Sequence, residues 1–399
     1  MNYKPTFLCL ASYYKGYEFM VEAKKQGCHV ILLTQDKLKG EKWPHHAIDE
    51  IFHMPALNRY PDILNAVSYL ARDRRIDTIT ALDDYDVETA ARLREHLRVP
   101  GMGDTTARHF RDKLAMRMQT QDHGIKIPEF VHVLNHDKIH EFTQRVASPW
   151  VLKPRSEAGS VGIKKLHNAA DLWEVVNAMG DIQSYYLLEQ FVAGDIYHVD
   201  SIVFDDKILF AQAHRYGTPP FSLWNYGGVF STASVAPDAP ELKQLLSLND
   251  KVIKAMGLPR GVTHAEYIRC KETGELHFLE LASRVGGASI DILVEKATGI
   301  NLWHEWVRLE LAYLGKQGYK PPKRRFDHAG LLVCLAKEEH PDLSAYNAPE
   351  VVWKLDKAQH AGLVVASSDY ERTRSLHDHY YHQLAQDFLA VAPPTQAAV

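Results

Sequence analysis

The sequence predicts a mixed α/β and α+β protein: an N-terminal α/β domain, an α+β core and a C-terminal α/β lobe. Three observations carry this. The first hundred residues alternate short apolar runs with helical patterns, the rhythm of βαβ units on a parallel sheet. Residues 130–191 read strand, helix, strand, glycine-bearing loop, strand, helix, strand, which is a small α+β lobe. The chain has 399 residues, more than the roughly 250–300 that one hydrophobic core sustains.

Taken in order, apolar runs at 6–11, 29–34, 51–54 and 76–82 predict the N-terminal strands, with helices between them and after residue 82. The turn after the first strand, Ala11-Ser12-Tyr13-Tyr14-Lys15-Gly16, lacks G-x-G-x-x-G, which disfavours a dinucleotide-binding dehydrogenase. Val99-Pro100-Gly101 marks a boundary, and one helix is expected over about 105–123, closed by Gly124 and Pro128. The small lobe should hold strands at 150–154, 162–166 and 186–191 and a helix over 169–179. Strands near 199–204 and 208–214 follow, then a helix near 241–256. A hairpin of 263–269 with 276–282 is joined by Lys271-Glu272-Thr273-Gly274. After Pro321-Pro322-Lys323-Arg324-Arg325, strands at 328–336, 351–354 and 363–367 precede a helix from 370 to about 389. The domains are therefore set at 1–102, 103–318 (small lobe about 126–192) and 319–399.

Composition narrows the function classes. With 46 Lys+Arg against 50 Asp+Glu, the net charge of −4 argues against a protein that coats nucleic acid or an anionic membrane. At 46% hydrophobic and 24% charged the chain is expected to fold rather than remain disordered. The longest apolar run, 329–336, is far below the ~20 residues of a membrane span, and no secretory leader is visible, so a cytoplasmic protein is expected. Cys9, Cys28, Cys270 and Cys334 form no Cys-x-x-Cys and suit reduced thiols.

Four features of the middle segment bear on chemistry. Lys153 ends an apolar strand ahead of Ser156-Glu157-Ala158-Gly159-Ser160-Val161-Gly162, a small-residue loop whose backbone N–H groups suit phosphate oxygens; an ordinary β-turn beside a lysine is the alternative. Lys113 lies in the helix that enters the small lobe, where a solvated surface lysine is the commoner reading. Glu189-Gln190-Phe191-Val192 ends a strand and offers a backbone edge to a flat base. Glu266 and Glu280 lie on the two arms of the hairpin among apolar residues, which suggests a shared divalent cation, with a buried ion pair as the alternative. Arg284, just before Val285-Gly286-Gly287, offers a fork of donors to a phosphoryl or carboxylate group. The aromatic stretch containing Tyr216, Phe221, Trp224, Tyr226 and Phe230 is either a substrate-facing loop or simple packing. His377, His379 and His382 read as a polar helix face rather than a metal site.

Together these residues resemble the ATP-grasp superfamily over roughly 100–314, in order and spacing. The resemblance implies an ATP-grasp fold preceded by a Rossmann-like domain and followed by a C-terminal α/β lobe. It implies that Lys113 and Lys153 contact nucleotide phosphates and that the loop carrying Ser156, Gly159, Ser160 and Gly162 closes over them. It also implies that Glu189, Gln190 and Val192 receive the adenine, and that Glu266 and Glu280 hold Mg2+ or Mn2+. Two positions depart from the common pattern. Ala282 stands where an amide ligand is usual, and Ile196 stands where a ribose-binding glutamate is usual, with Asp195 or Tyr197 as substitutes. The spacing Glu280-Leu281-Ala282-Ser283-Arg284 is most similar to amino-acid ligases and dipeptide synthetases. The implied activity is ATP-dependent joining of a small carboxylate to an amine, with Lys153 and Arg284 catalytic and Trp224, Tyr226 and Arg284 lining the substrate pocket. The expected partners are those small molecules, with neither nucleic acid nor membrane, and homodimerisation is left open. A noncatalytic nucleotide-binding protein of the same fold is the alternative.

Overall fold

A computed structural model of the chain describes residues 3–159, 161–221, 223 and 227–390. Strands β1 (Thr6–Ala11), β2 (His29–Gln35), β3 (Glu50–Met54) and β4 (Thr78–Ala81) form a parallel sheet in the order β3-β2-β1-β4. Every residue of β1 and β4 is buried, as a parallel strand covered on both faces requires. Helix α1 (Tyr17–Lys25) joins β1 to β2, α2 (Tyr60–Leu70) joins β3 to β4, and α3 (Val87–Leu97) follows β4. The winding direction changes between β1 and β4, and the crevice outside their carboxyl ends is where such sheets take ligands.

The single helix expected over 105–123 is instead two, α4 (Asp104–Arg108) and α5 (Lys113–Asp122). Asp112 is extended and its carboxylate accepts the Leu114 N–H at 3.0 Å, so it restarts a helix rather than continuing one. Lys113 thereby becomes the first helical residue.

The small lobe is an antiparallel sheet of β5 (Phe130–His132), β6 (Trp150–Pro154), β7 (Lys164–Leu166) and β8 (Tyr186–Gln190), in the order β5-β8-β6-β7. Helices α6 (His136–Arg145) and α7 (Ala169–Met179) cover it. Ile139, Phe142, Leu152, Leu172, Val176 and Leu188 give this lobe a core of its own.

The remaining strands form one eight-stranded sheet. They are β9 (Gly194–Phe204), β10 (Lys207–Tyr216), β11 (Phe230–Ser234), β12 (Arg260–Cys270), β13 (Leu276–Ala282), β14 (His328–Leu335), β15 (Val351–Lys354) and β16 (His360–Ser367), in the order β13-β12-β9-β10-β11-β14-β16-β15. Strands β14, β15 and β16 belong to the same sheet as β9–β13, through β11 pairing with β14. Alternation along β9 separates the two faces. Tyr197, Val199 and Val203 share a core with α8 (Pro240–Met256), while Ile202 packs with α9 (Ile290–Thr298) and α10 (Leu302–Leu314). The last helix, α11 (Tyr370–Asp387), contributes to a third core with β14 and β16. On it His377 is buried while His379 and His382 are exposed, so the three do not converge. Among the described residues no helix is long and apolar enough to cross a membrane.

Candidate active site

Antiparallel pairing of β12 with β13 sets Glu266 directly opposite Glu280, with a bulge just after Glu266. Directly opposed residues point to the same face, so the two carboxylates share one wall of a cleft of about 160 Å³. That cleft is also lined by Lys113, Lys153, Glu157, Gly159, Ile196, Pro220, Phe221 and Leu279. The Glu266 Oε1 accepts the Tyr216 hydroxyl at 2.9 Å and lies 3.6 Å from His264 Nε2. Burial opposes its ionisation, but His264 and Tyr216 outweigh that and hold it below the ordinary range. Glu280 lies 3.3 Å from Lys113 Nζ.

The small lobe and α5 supply the cations. Lys153, in β6, is buried and meets Glu189 of β8 at 2.5 Å; Glu189 also accepts Arg117 Nε at 2.7 Å. Burial pushes the Lys153 ammonium down to about 8 even with Glu189 pulling the other way. For Glu189, burial would raise the carboxyl, yet Arg117 and Lys153 together keep it low. Lys113 Nζ donates to the Glu157 carbonyl at 2.6 Å and so touches the loop after β6 as well as Glu280. The loop's return requires Gly162, whose φ is +71° and whose added Cβ would lie 2.9 Å from Pro154.

Residues 84 and 85 meet groups beside the cleft. Asp84, just past β4, is buried and accepts Arg111 Nη1 at 2.6 Å, while its other oxygen faces Arg284 Nε at 3.6 Å. Burial works against its charge, but Arg111, Arg284 and Lys113 prevail and hold it below the ordinary carboxylate range. Arg111 also donates to the Ser156 carbonyl, and Tyr85 donates to Glu157 at 3.1 Å, so the acidic turn at 83–86 is tied to the glycine loop.

The structure thus gathers Lys113, Lys153, Gly159, Glu266 and Glu280 around one cleft, whereas Arg284 does not line it and lies instead 3.6 Å from Asp84, with Nη1 donating to the Val285 carbonyl at 2.9 Å. Glu189 is close by, but its side chain is consumed by the two cations. The Gln190 and Phe191 N–H groups are spent on the Glu129 and Pro149 carbonyls at 2.8 and 3.2 Å. Asp195 is not brought in. Strand alternation that turns Ile196 into the cleft turns Asp195 and Tyr197 to the opposite face, where they meet Arg215 at 3.1 Å and Glu241 at 3.2 Å. Ser160, Trp224 and Tyr226 lie outside the described residues. Sequence reasoning passed over Arg117, Arg111, Asp84, Asp200 and His264. Arg117 was within reach of it, being one helical turn after Lys113, as was His264, two residues before Glu266 on the same strand face; no local pattern marked Asp84.

The profile of the ATP-grasp domain family matches residues 146–291. The L-arginine-specific L-amino acid ligase of Bacillus subtilis is 25% identical over 241 residues, which are 59% of this chain and 58% of that protein. The chain spans somewhat more than half the length of the first three curated relatives it matches, 58%, 52% and 56%. Among solved structures, the L-amino acid ligase from Bacillus licheniformis superposes with a TM-score of 0.75 at 18% identity, over 98% of this chain and 100% of that one. Carboxyaminoimidazole ribonucleotide synthase from Aspergillus clavatus, complexed with ATP, gives 0.73 at 14% identity, over 96% and 98%. The matched segment contains Lys153, Glu189, Glu266 and Glu280, and with the agreement in fold along nearly the whole length it establishes that this chain carries an ATP-grasp domain and adopts the ATP-grasp fold.

Proposed function

We propose that the chain is an ATP-dependent ligase that joins a small carboxylate, of the amino-acid kind, to an amine, releasing ADP and phosphate. The observation that carries the reading is the single cleft lined by Lys113, Lys153, Gly159, Glu266 and Glu280. Phosphoryl transfer asks mainly for positioning and charge neutralisation, and these groups supply both without a protein nucleophile. The ligases named above, similar over much of this chain, support the same reading.

In this reaction a substrate carboxylate oxygen attacks the γ-phosphorus, the bond to the β,γ-bridging oxygen breaks, and ADP leaves with that electron pair. The amine nitrogen then attacks the acyl carbon, phosphate departs, and the nitrogen gives up a proton. Lys153 meets the charge developing on the transferred group, while Lys113 holds phosphate oxygens beside the loop. Arg284 has Nη1 donating to the Val285 carbonyl at 2.9 Å and Nε facing Asp84 at 3.6 Å, so it would meet a carboxylate or phosphoryl oxygen through Nη2 rather than through an open fork. Residues 190–192 are the edge for the adenine, where Val192 remains after the Gln190 and Phe191 N–H groups are taken.

The residues present fit a divalent cation, Mg2+ by preference. Two oxygen donors face each other on adjacent strands, with side-chain exposures of 20% for Glu266 and 36% for Glu280, so neither is sealed from a ligand. A bound ion would neutralise phosphate charge. The test is ADP release from the full chain with ATP, Mg2+ and pooled amino acids. Substrate-stimulated ADP that disappears in Lys153→Ala is expected. Nucleotide binding with no stimulated ADP across a broad panel would overturn the ligase reading in favour of a noncatalytic nucleotide-binding protein.

A further inference from the structure

On the sheet face that carries Glu266 and Glu280, the polar surface continues inward. Glu266 pairs across the strands with His198, and one rung along His264 pairs with Asp200. Asp200 and His198 are wholly buried and His264 nearly so. Both Asp200 oxygens are used: Oδ1 lies 2.9 Å from His264 Nδ1 and Oδ2 lies 2.8 Å from His198 Nδ1. An ionised carboxylate only accepts, so each imidazole presents Nδ1–H to it, and this sets the plane of both rings. The far nitrogen of His198 is occupied by the Thr232 hydroxyl at 2.8 Å. The far nitrogen of His264 lies beside the proposed metal carboxylate, 3.6 Å from Glu266 Oε1 and 3.5 Å from the Tyr216 hydroxyl that donates to that oxygen.

The same pair also supports the loop that bears Arg284. A Cβ added to Gly286 would lie 3.0 Å from His264 Nδ1, 3.1 Å from Asp200 Oδ1 and 2.8 Å from Ile290 Cγ2. The backbone two residues after Arg284 therefore rests on the Asp200–His264 pair, at a closeness only glycine allows. One buried unit thus touches both the carboxylate at the cleft and the loop of the guanidinium.

We propose that Asp200, His264 and Tyr216 are positioning residues. Asp200 orients the His264 ring, His264 and Tyr216 hold one oxygen of Glu266 so that the other is presented to a cation, and the Asp200–His264 pair seats the Arg284 loop. The inference rests on the reading of Glu266 as a metal ligand. Groups that orient a ligand in this way typically change metal affinity or activity by about 10- to 100-fold when removed.

The test titrates Mn2+ into the full chain in the presence of a non-hydrolysable ATP analogue, read by electron paramagnetic resonance, alongside steady-state ADP formation. Four variants are compared: Tyr216→Phe, His264→Asn, Asp200→Asn and Glu266→Gln. Asparagine at 264 keeps a donor where Nδ1 stood and loses the reach to Glu266. Tyr216→Phe and His264→Asn are expected to weaken Mn2+ binding about tenfold and to lower kcat by a similar factor, while the nucleotide KM at saturating metal stays within about twofold. Asp200→Asn carries the largest risk of misfolding, and Tyr216→Phe, which changes one hydroxyl, keeps the test decisive if it does. If Glu266→Gln leaves Mn2+ affinity unchanged, the metal reading itself fails. If Glu266→Gln weakens it while Tyr216→Phe and His264→Asn, folded by circular dichroism, bind Mn2+ as the native chain does, the positioning role is overturned and the cluster serves only the fold.

Discussion

Replacing Glu189 with glutamine isolates the electrostatic centre of the small lobe. Glu189 is 3% exposed and serves two cations, Arg117 at 0% and Lys153 at 7%. The contacts are 2.7 Å to Arg117 Nε and 2.5 Å to Lys153 Nζ. Neither Nη of Arg117 has a hydrogen-bond partner among the described residues, and beyond the Phe278 ring 5.8 Å from Cζ this carboxylate is the main compensation for its charge. The amide can still accept one hydrogen bond, but its NH2 end must then face a second donor. Removing one partner of a buried pair costs about 3–5 kcal/mol, because what remains is an uncompensated charge. Here two charges remain, and the upper part of that range is expected. A chain of 399 residues whose small lobe has a core of its own makes a single global unfolding curve a poor reporter. Hydrogen exchange of the β6 and β8 amides reads local opening of the lobe directly. Their protection should fall by the corresponding free energy, and Glu189→Gln combined with Arg117→Met should recover part of it by removing one stranded cation. A loss below about 1 kcal/mol in Glu189→Gln, or an additive double variant, would refute the shared-counterion account.

Lys153 has its folded value lowered to about 8, so kcat/KM for ATP, which reports the free protein, should decline as pH rises through that value. A flat profile from pH 7 to 9.5 would remove Lys153 from phosphate binding. Asp86 accepts both the N–H and the hydroxyl of Ser12, and burial raises its carboxyl from 3.8 to about 7. A raised carboxyl means the native state binds more protons than the unfolded state between those values. Stability is therefore lost as pH climbs through that window. Asp86→Asn should accordingly stabilise the β1 and β4 region against local unfolding, read by hydrogen exchange of their amides, by a free energy on the order of 2–4 kcal/mol at pH 8, and by much less at pH 4.5; an equal gain at both would contradict this. Glu280→Gln should depress ADP formation more than Glu266→Gln, because Glu280 is also the counter-ion of Lys113 at 3.3 Å; equal losses would assign the two carboxylates the same duty.

What the sequence by itself determined was whatever repeats with a local period or follows from local chemistry. Apolar runs bounded by turn residues placed the strands, and the turn at 271–274 joined β12 to β13, so Glu266 and Glu280 were legible as partners from the sequence. A lysine at the end of β6 ahead of small residues was equally legible. The cap at Asp112 was overlooked because one side-chain bond to Leu114 outweighs a pattern that reads as a continuous helix. Only the tertiary structure decided which groups meet across long separations. Arg117 and Glu189 are 72 residues apart, and Asp200 and His264 are 64. It likewise decided that β14–β16 join the core sheet and that Asp84 of the first domain faces Arg284. Strand order and domain apposition are set by which buried surfaces and charges find complements, and that choice is a property of the whole chain, with no residue-level period for a sequence to display.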